Sequence, residues 1–203
     1  MFATINTPFA LSLSKGERPN VKVLMSQKNT PEKGLILVHT GDGKGKTTAA
    51  LGLAFRAIGY GWKILMVQFI KGSWHYGELD AAKRLADCIE ICPMGEGFTW
   101  ETKDRERDTQ KAHEAWEFAC KKVAEGNYNL LILDEINNVI DYGYLPVEEV
   151  LDWLKTKPDA LHVILTGRNA PPPLIEMADL VTEMREIKHP FHKGIYAQKG
   201  IEF

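Results

Sequence analysis

The sequence predicts an α/β fold in three layers, arranged around a mostly parallel sheet. Short aliphatic or β-branched runs recur along the chain after residue 34, and such runs of consecutive apolar residues are typical of strands buried on both faces. Helical patterns lie between the runs, and this alternation indicates βαβ units. The predicted strands are Leu35–His39, Ile64–Phe69, Ile89–Cys92, Leu130–Asp134, His162–Thr166 and Leu180–Met184.

Three helices are predicted between these strands. Thr47–Ile58 is rich in Ala and Leu and is followed by Gly59, a common helix stop. Pro146–Leu154 begins with a proline suited to a first helical turn and has its apolar residues on one side. The third helix, from about Thr109 to Glu125, carries an apolar stripe at helical spacing. The stripe consists of Ala112, Ala115, Trp116, Ala119 and Val123.

Length and composition bound the kind of protein. A chain of 203 residues suits one domain. Residues 1–33 show no sustained period, so we predict an N-terminal extension at 1–33 and a domain at 34–203. The net charge of −2 argues against a dedicated nucleic-acid or anionic-membrane binder, and no apolar run approaches the roughly 18 residues of a membrane span. Three cysteines without CxxC spacing fit a reducing cytoplasm.

A glycine-rich segment between the first strand and the first helix predicts a phosphate-binding loop, or P-loop. Glycines let consecutive backbone N–H groups turn towards phosphate oxygens, and the following helix directs its positive end at the same anion. Lys46 adds a charge at the outer phosphates, and the Thr47 hydroxyl is suited to bind Mg²⁺. Thr40 stands where the general pattern has glycine. The predicted phosphate-binding residues are Thr40, Gly41, Asp42, Gly43, Lys44, Gly45, Lys46, Thr47 and Thr48.

A second nucleotide-site signal is the run Leu130–Asp134, four aliphatic residues that end in Asp134 and are followed by Glu135. Ligands gather at the carboxyl ends of strands in open α/β sheets. Mg²⁺ requires oxygen ligands and keeps several waters. We therefore predict a magnesium site formed by Thr47 with Asp134 or Glu135; the alternative is a solvated acidic turn.

Several segments, in order along the chain, resemble the ATP:corrinoid adenosyltransferases. The matches are TGDGKGKTTAALGLAFRAIGYG from Thr40, VQFIKG from Val67, GFTWET from Gly97, LLILDEI from Leu130, TGR from Thr166, KHPF from Lys188 and AQKGIEF from Ala197. The resemblance covers essentially 34–203. It implies a P-loop NTPase-like fold of the RecA-like kind, and the family also tolerates Thr at position 40.

The resemblance implies an enzyme that transfers the 5′-deoxyadenosyl group of ATP to a cobalt(I) corrinoid and releases inorganic triphosphate. Lys46 would then act on a leaving group. Phe98 and Trp100 match an aromatic pair that excludes the lower ligand of cobalt, although they could also be core aromatics on a turn. Arg56 and Asp42 are candidates for adenosine contacts, and Arg56 could equally be a solvated helix charge.

The family also implies partners for this reaction. These are Mg²⁺, ATP, a corrinoid (cobalamin, cobinamide or cobyrinic acid diamide), an electron donor such as a flavoprotein, and a second copy in a homodimer. In that dimer the extension at 1–33 would be flexible or cover an active site as a lid. Two other classes stay open at this point: a P-loop ATPase or small-molecule kinase that cleaves at the γ-phosphate, and a non-catalytic nucleotide-sensing or corrinoid-carrier module.

Overall fold

The computed structural model describes residues 33–72, 75–95, 97 and 104–202. Its strands are β1 (Ile36–Thr40), β2 (Ile64–Gln68), β3 (Ile89–Pro93), β4 (Leu130–Asp134), β5 (His162–Thr166) and β6 (Leu180–Glu183). Its helices are α1 (Lys46–Ile58), α2 (Gly77–Arg84), α3 (Arg105–Glu125), α4 (Ile136–Asp141), α5 (Val147–Thr156) and α6 (Pro172–Met177), followed by a 3₁₀ turn at Pro190–Lys193. All six predicted strands and all three predicted helices are present.

The strands form one six-stranded sheet in the order β3-β2-β4-β5-β1-β6. Every pairing between neighbours is parallel. β5 therefore separates β1, which leads into the P-loop, from β4, which ends in Asp134. The carboxyl ends of these three strands meet at one edge of the sheet, where open α/β sheets bind ligands. The predicted α/β fold around a parallel sheet is confirmed.

The two faces of the sheet carry separate apolar layers because side chains alternate along each strand. Ile64 and Met66 of β2 pack with Ala50, Ala54 and Ala57 of α1. Their neighbours on β2 belong to the opposite layer, which includes the stripe of α3 and buried residues of α4 and α5. Helices therefore cover both faces of the sheet, as a three-layer architecture requires.

One burial prediction is wrong. All four residues of β6 are exposed, although the apolar run at Leu180 suggested a strand buried on both faces. Among the described strands, β6 lies at the edge of the sheet and pairs with β1 alone. An apolar run therefore identified the strand correctly without reporting its position in the sheet.

Two parts of the predicted organisation lie largely or wholly outside the described residues. The extension at 1–33 is described only at Lys33, whose ammonium lies 2.7 Å from Asp179 Oδ1. Phe98 and Trp100 are not among the described residues. Within the part of the chain that the structure describes, no helix is both long and apolar enough to cross a membrane.

Candidate nucleotide site

The P-loop runs from the end of β1 to the start of α1 and depends on glycines for its path. Gly41 and Gly45 have φ values of 95° and 107°, in the left-handed region that side chains with a Cβ disfavour. A Cβ on Gly41 would lie 2.4 Å from the carbonyl oxygen of Met184. At Gly43 the backbone N–H donates to the same carbonyl at 2.7 Å. The loop is therefore shaped by its packing against the chain that follows β6.

Thr40 occupies the position where the general P-loop pattern has glycine. It is the last residue of β1, is buried, and lies opposite Glu183 in β6. Its hydroxyl oxygen accepts a hydrogen bond from the backbone N–H of Ala170 at 3.1 Å. Residue 40 thus has strand conformation, which suits a β-branched side chain, and the turn begins only at Gly41.

Lys46 lies at the first position of α1, with its ammonium folded over the loop. The ammonium donates to the carbonyl oxygens of Gly41 at 2.6 Å and of Gly43 at 2.7 Å. Partial burial and the nearby charge of Arg168 lower the pKa of Lys46. An anion in the loop would give this ammonium stronger, charge-assisted hydrogen bonds than the neutral carbonyls do.

The amino end of α1 is open to an anion. Its cap residue, Gly45, has no side chain with which to accept from the free N–H groups, and no acidic residue stands in the first turn. The first N–H groups of a helix have no partner within the helix, and the helix dipole places positive charge there. Together with the Lys46 ammonium, this end forms a phosphate-binding cradle.

Asp134 is fully buried at the end of β4, and both of its oxygens have partners. Oδ1 accepts hydrogen bonds from the hydroxyls of Thr47 and Thr166, each at 2.8 Å. Oδ2 accepts from Gln68 Nε2 at 3.3 Å and lies 3.5 Å from the ammonium of Lys71. This carboxylate therefore connects the P-loop helix with β2 and β5.

Glu135 has a strained backbone and a carboxylate with a free oxygen. Its φ is 66°, unusual for a residue with a side chain, and its N–H donates to the Thr166 hydroxyl at 2.9 Å. Oε2 is buried without a hydrogen-bond partner among the described residues. Burial and the adjacent charge of Asp134 raise the pKa of Glu135 to about 7, against the opposing charges of Lys71 and Lys46.

These oxygen groups fit a magnesium ion only if further ligands come from phosphate and water. Thr47, Asp134 and Glu135 offer hard oxygen donors, which Mg²⁺ prefers, and Oε2 of Glu135 has no hydrogen-bond partner in the described part of the chain. The described residues contain no group of three or more His, Cys, Asp or Glu side chains placed to hold a metal. Mg²⁺ bound with one or two carboxylates plus phosphates matches this sparse set.

Two cavities open beside the P-loop. The larger has a volume of about 530 Å³, within the range of small-molecule sites. Its lining combines residues 44–48 of the P-loop with a polar wall and the C-terminal segment, at Leu51, Lys71, Tyr76, Gly77, Glu78, Glu135, Gly200, Ile201 and Glu202. The smaller, of about 170 Å³, shares Lys46, Thr47 and Glu135 with the first and extends towards Thr166–Arg168.

Charged side chains surround the mouth of the site. Asp42 is exposed, and its Oδ1 lies 3.9 Å from Nε of Arg168, on the loop after β5. Lys44 forms an ion pair with Glu202 of the C-terminal segment. The structure thus brings Asp42, Lys44, Lys46, Thr47, Asp134 and Glu135 together.

Arg56 is the predicted binding residue that the structure places apart from this site. It is exposed in the last turn of α1, ten residues after Lys46, which corresponds to about 15 Å along a helix. It borders a groove beside Leu35 and His162, at the amino ends of the strands. Within one chain, Arg56 and the P-loop therefore face opposite edges of the sheet.

Several site residues were not predicted individually. Gln68, Lys71, Glu78, Thr166 and Arg168 line or border the two cavities or contact Asp134. Four of them end a strand or follow one by a few residues, so the rule that ligands gather at carboxyl ends of strands could have identified them. Glu78 lies in the first turn of α2, a helix without buried residues and hence without a sequence signature.

The fold and the site together define a P-loop nucleotide-binding protein. The profile of the family described as ATP:corrinoid adenosyltransferase BtuR/CobO/CobP matches residues 32–203. The chain belongs to the ATP:corrinoid adenosyltransferases, a family of alkyl-group transferases.

Individual relatives have the same family name. A corrinoid adenosyltransferase of Sinorhizobium sp is 48% identical over 96% of this chain and 91% of its own. That of Pseudomonas aeruginosa is 48% identical over 85% of each chain. That of Escherichia coli K12 is 42% identical over 92% of this chain and 93% of its own. Among solved structures, a KaiC-like protein from Pyrococcus horikoshii aligns with a TM-score of 0.48 and 19% identity, covering 78% of this chain and 76% of that one.

Proposed function

We propose that this ATP:corrinoid adenosyltransferase uses its P-loop to bind the triphosphate of ATP as a leaving group. The lone pair of a cobalt(I) corrinoid attacks C5′ of the ribose and forms a Co–C bond. The C5′–O bond breaks, its electron pair remains with inorganic triphosphate, and cobalt becomes formally cobalt(III). The observation that carries the proposal is the cradle formed by Lys46 and the uncapped end of α1 in a chain of this family.

In this proposal the protein stabilises charge and supplies no nucleophile. Charge grows on the triphosphate as the C5′–O bond breaks, and fixed donors aimed at that charge lower the barrier. Lys46 and the N–H groups at the start of α1 are such donors. The described residues that line the two cavities include no cysteine, histidine or serine. A nucleophile brought by the second substrate agrees with this lining.

We assign Thr47, Asp134 and Glu135 to magnesium. Bound Mg²⁺ would neutralise part of the phosphate charge. Thr47 and Glu135 are the direct donors in this assignment, because both oxygens of Asp134 already accept hydrogen bonds within the protein. Asp134 instead orients the Thr47 hydroxyl, through a contact of 2.8 Å.

The remaining assignments follow from the family resemblance. Phe98 and Trp100 form an apolar wall against the lower face of the corrin, and Asp42 contacts adenosine. An electron donor such as a flavoprotein supplies cobalt(I), and the enzyme works in the cytoplasm as a homodimer. Arg56 would contact adenosine only across such a dimer, given its distance from the P-loop of its own chain.

A γ-phosphate-cleaving ATPase or kinase is the second candidate, and Glu135 is the observation in its favour. A carboxylate with a buried, unpartnered oxygen and a pKa raised to about 7 is suited to accept a proton from water or a hydroxyl. The two candidates differ in their products. We expect anaerobic incubation with ATP and a chemically reduced corrinoid to yield inorganic triphosphate and an alkylated corrinoid spectrum. ADP and phosphate, formed without a corrinoid, would support the second candidate.

A further inference from the structure

A second lysine lines the larger cavity together with the P-loop. Lys71 follows the carboxyl end of β2, and its side chain is 17% exposed. Its ammonium lies 2.8 Å from Oε1 of Glu78, 3.5 Å from Oδ2 of Asp134 and 4.9 Å from the ring centre of Tyr76. Lys71 borders the same cavity as Lys46 and Thr47.

Glu78 and Gln68 hold this ammonium in place. Glu78 accepts hydrogen bonds from Lys71 at 2.8 Å and from Gln68 Nε2 at 3.4 Å, and Gln68 also donates to Asp134. Glu78 Oε1 lies 2.8 Å and Asp134 Oδ2 3.5 Å from this ammonium, so two carboxylates hold the cation in place. An ammonium has three donors, and the hydrogen bond to Glu78 uses one.

The charges around the cavity explain why a second cation is useful there. Glu78 and Glu135 give the cavity an acidic wall, and the fully buried Asp134 lies 3.5 Å from the Lys71 ammonium. A polyphosphate in the cavity would be repelled by this wall, and like charges held close together in a protein interior repel strongly. The Lys71 ammonium lies within the wall. This ammonium can offset the repulsion and donate a hydrogen bond to a phosphate oxygen.

We propose that Lys71 is a second phosphate-binding residue, positioned by Glu78, that contacts the triphosphate in the cavity it shares with Lys46. The contribution of Lys71 to catalysis rests on the proposed function, in which triphosphate is the leaving group. As the C5′–O bond breaks, the new charge on the leaving group lies near two ammonium groups instead of one. Lys71 therefore stabilises the transition state and the triphosphate product, which carry the additional charge, more strongly than it stabilises bound ATP.

The test measures binding of inorganic triphosphate by titration calorimetry, with and without Mg²⁺. We expect Lys71→Met to weaken this binding at least tenfold and to lower kcat from pre-reduced corrinoid, and Lys71→Arg to retain part of both. Lys83→Met is the matched control. Lys83 is exposed on α2 and pairs with Asp80, so its replacement should leave both quantities within twofold of the original chain.

A second variant guards against misfolding. Lys71→Met leaves Glu78 without its cation, whereas Lys71→Met combined with Glu78→Gln removes both charges and should retain the fold. Triphosphate binding by the folded double variant at least tenfold weaker than by Glu78→Gln alone supports the proposal, because these two variants differ only in Lys71. Binding that agrees within twofold between these two folded variants, or between folded Lys71→Met and the original chain, overturns it. The proposed function is tested separately, by the product that the original chain releases from ATP. Release of ADP in place of triphosphate refutes the proposed reaction, whatever the triphosphate affinity of the Lys71 variants.

Discussion

At the scale of single residues, Lys46 has the most direct role in the proposed reaction. Its ammonium contacts two loop carbonyls, and a bound triphosphate would replace them with charged oxygens. A hydrogen bond to a charged group contributes about 1.5–3 kcal/mol, or roughly 10- to 150-fold in affinity. We therefore expect Lys46→Ala to lose ATP affinity by this factor in a binding titration and to lose adenosyl transfer.

Lys121→Ala is the control for this variant, since Lys121 is exposed on α3 and has a long contact of 3.9 Å with Glu125. It should bind ATP normally. Turnover by Lys46→Ala close to that of the control would remove the P-loop from the mechanism.

A variant of Glu135 distinguishes an effect on metal binding from an effect on folding. Glu135→Gln retains the shape of the side chain and removes its charge. Because the pKa of Glu135 is raised to about 7, its charged form opposes folding at higher pH, so the variant should be at least as stable as the original chain at pH 8. We expect it to need more magnesium for activity, measured by titrating Mg²⁺ in the transfer assay.

Glu125→Gln, at the exposed end of α3, should leave the magnesium requirement unchanged. If Glu135→Gln behaves in the same way, Asp134 or water alone is the better assignment for the metal.

At the scale of elements, the P-loop depends on its contact with the chain after β6. Gly41→Ala combines a left-handed φ with a Cβ only 2.4 Å from the Met184 carbonyl oxygen. Gly61 also has a positive φ, of 75°, but a Cβ there would meet nothing within 4 Å. A residue with a side chain in this conformation costs roughly 1–2 kcal/mol. We expect both variants to lose thermal stability and Gly41→Ala alone to lose ATP affinity.

Measured ATP affinities decide between two accounts of the loop. Equal affinity in the Gly41→Ala and Gly61→Ala variants would mean that the loop adjusts freely and that its packing on Met184 does not shape the phosphate site.

The elements also explain what could be predicted from the sequence. The strands were recognisable because polar residues flank each buried aliphatic run and so mark where the strand begins and ends. The observed bounds of β4 and β5 are the same as the predicted ones. α2 was not predicted; it has eight residues and buries none of them fully, so its apolar positions form only a short and weak pattern. α4 and α6 have six residues each, too few to show a helical period.

The candidate site likewise has a part that the sequence predicts and a part that it does not. The P-loop and the Asp134–Glu135 pair were predictable because each is a contiguous sequence motif at the carboxyl end of a predicted strand. Lys71, Glu78 and Thr166 come from three separate segments, and only the strand order β2-β4-β5 brings them to Asp134. Single polar residues after strands carry too little information to be assigned a partner 60 residues away.

At the scale of the whole molecule, the reaction requires a corrinoid as well as a nucleotide, and Phe98 and Trp100 test its position. Replacing either by Ala should open space for a lower ligand and make cobalt(II) harder to reduce. We expect activity to fall strongly when the assay starts from cobalt(II) and much less from pre-reduced cobalt(I). Equal losses from both, with the roughly 3–5 kcal/mol of destabilisation typical of truncating a core aromatic, would show that these residues belong to the core.

The bond of ATP that breaks tests the central claim most directly. ATP labelled with ¹⁸O at the oxygen that bridges C5′ and the α-phosphorus distinguishes the two reactions by mass spectrometry. Substitution at C5′ predicts that, with a cobalt(I) corrinoid present, the label leaves in inorganic triphosphate and the deoxyadenosyl product carries none. Label recovered in ADP, with unlabelled inorganic phosphate as the other product, would contradict the account, because the P-loop would then be acting on the γ-phosphate.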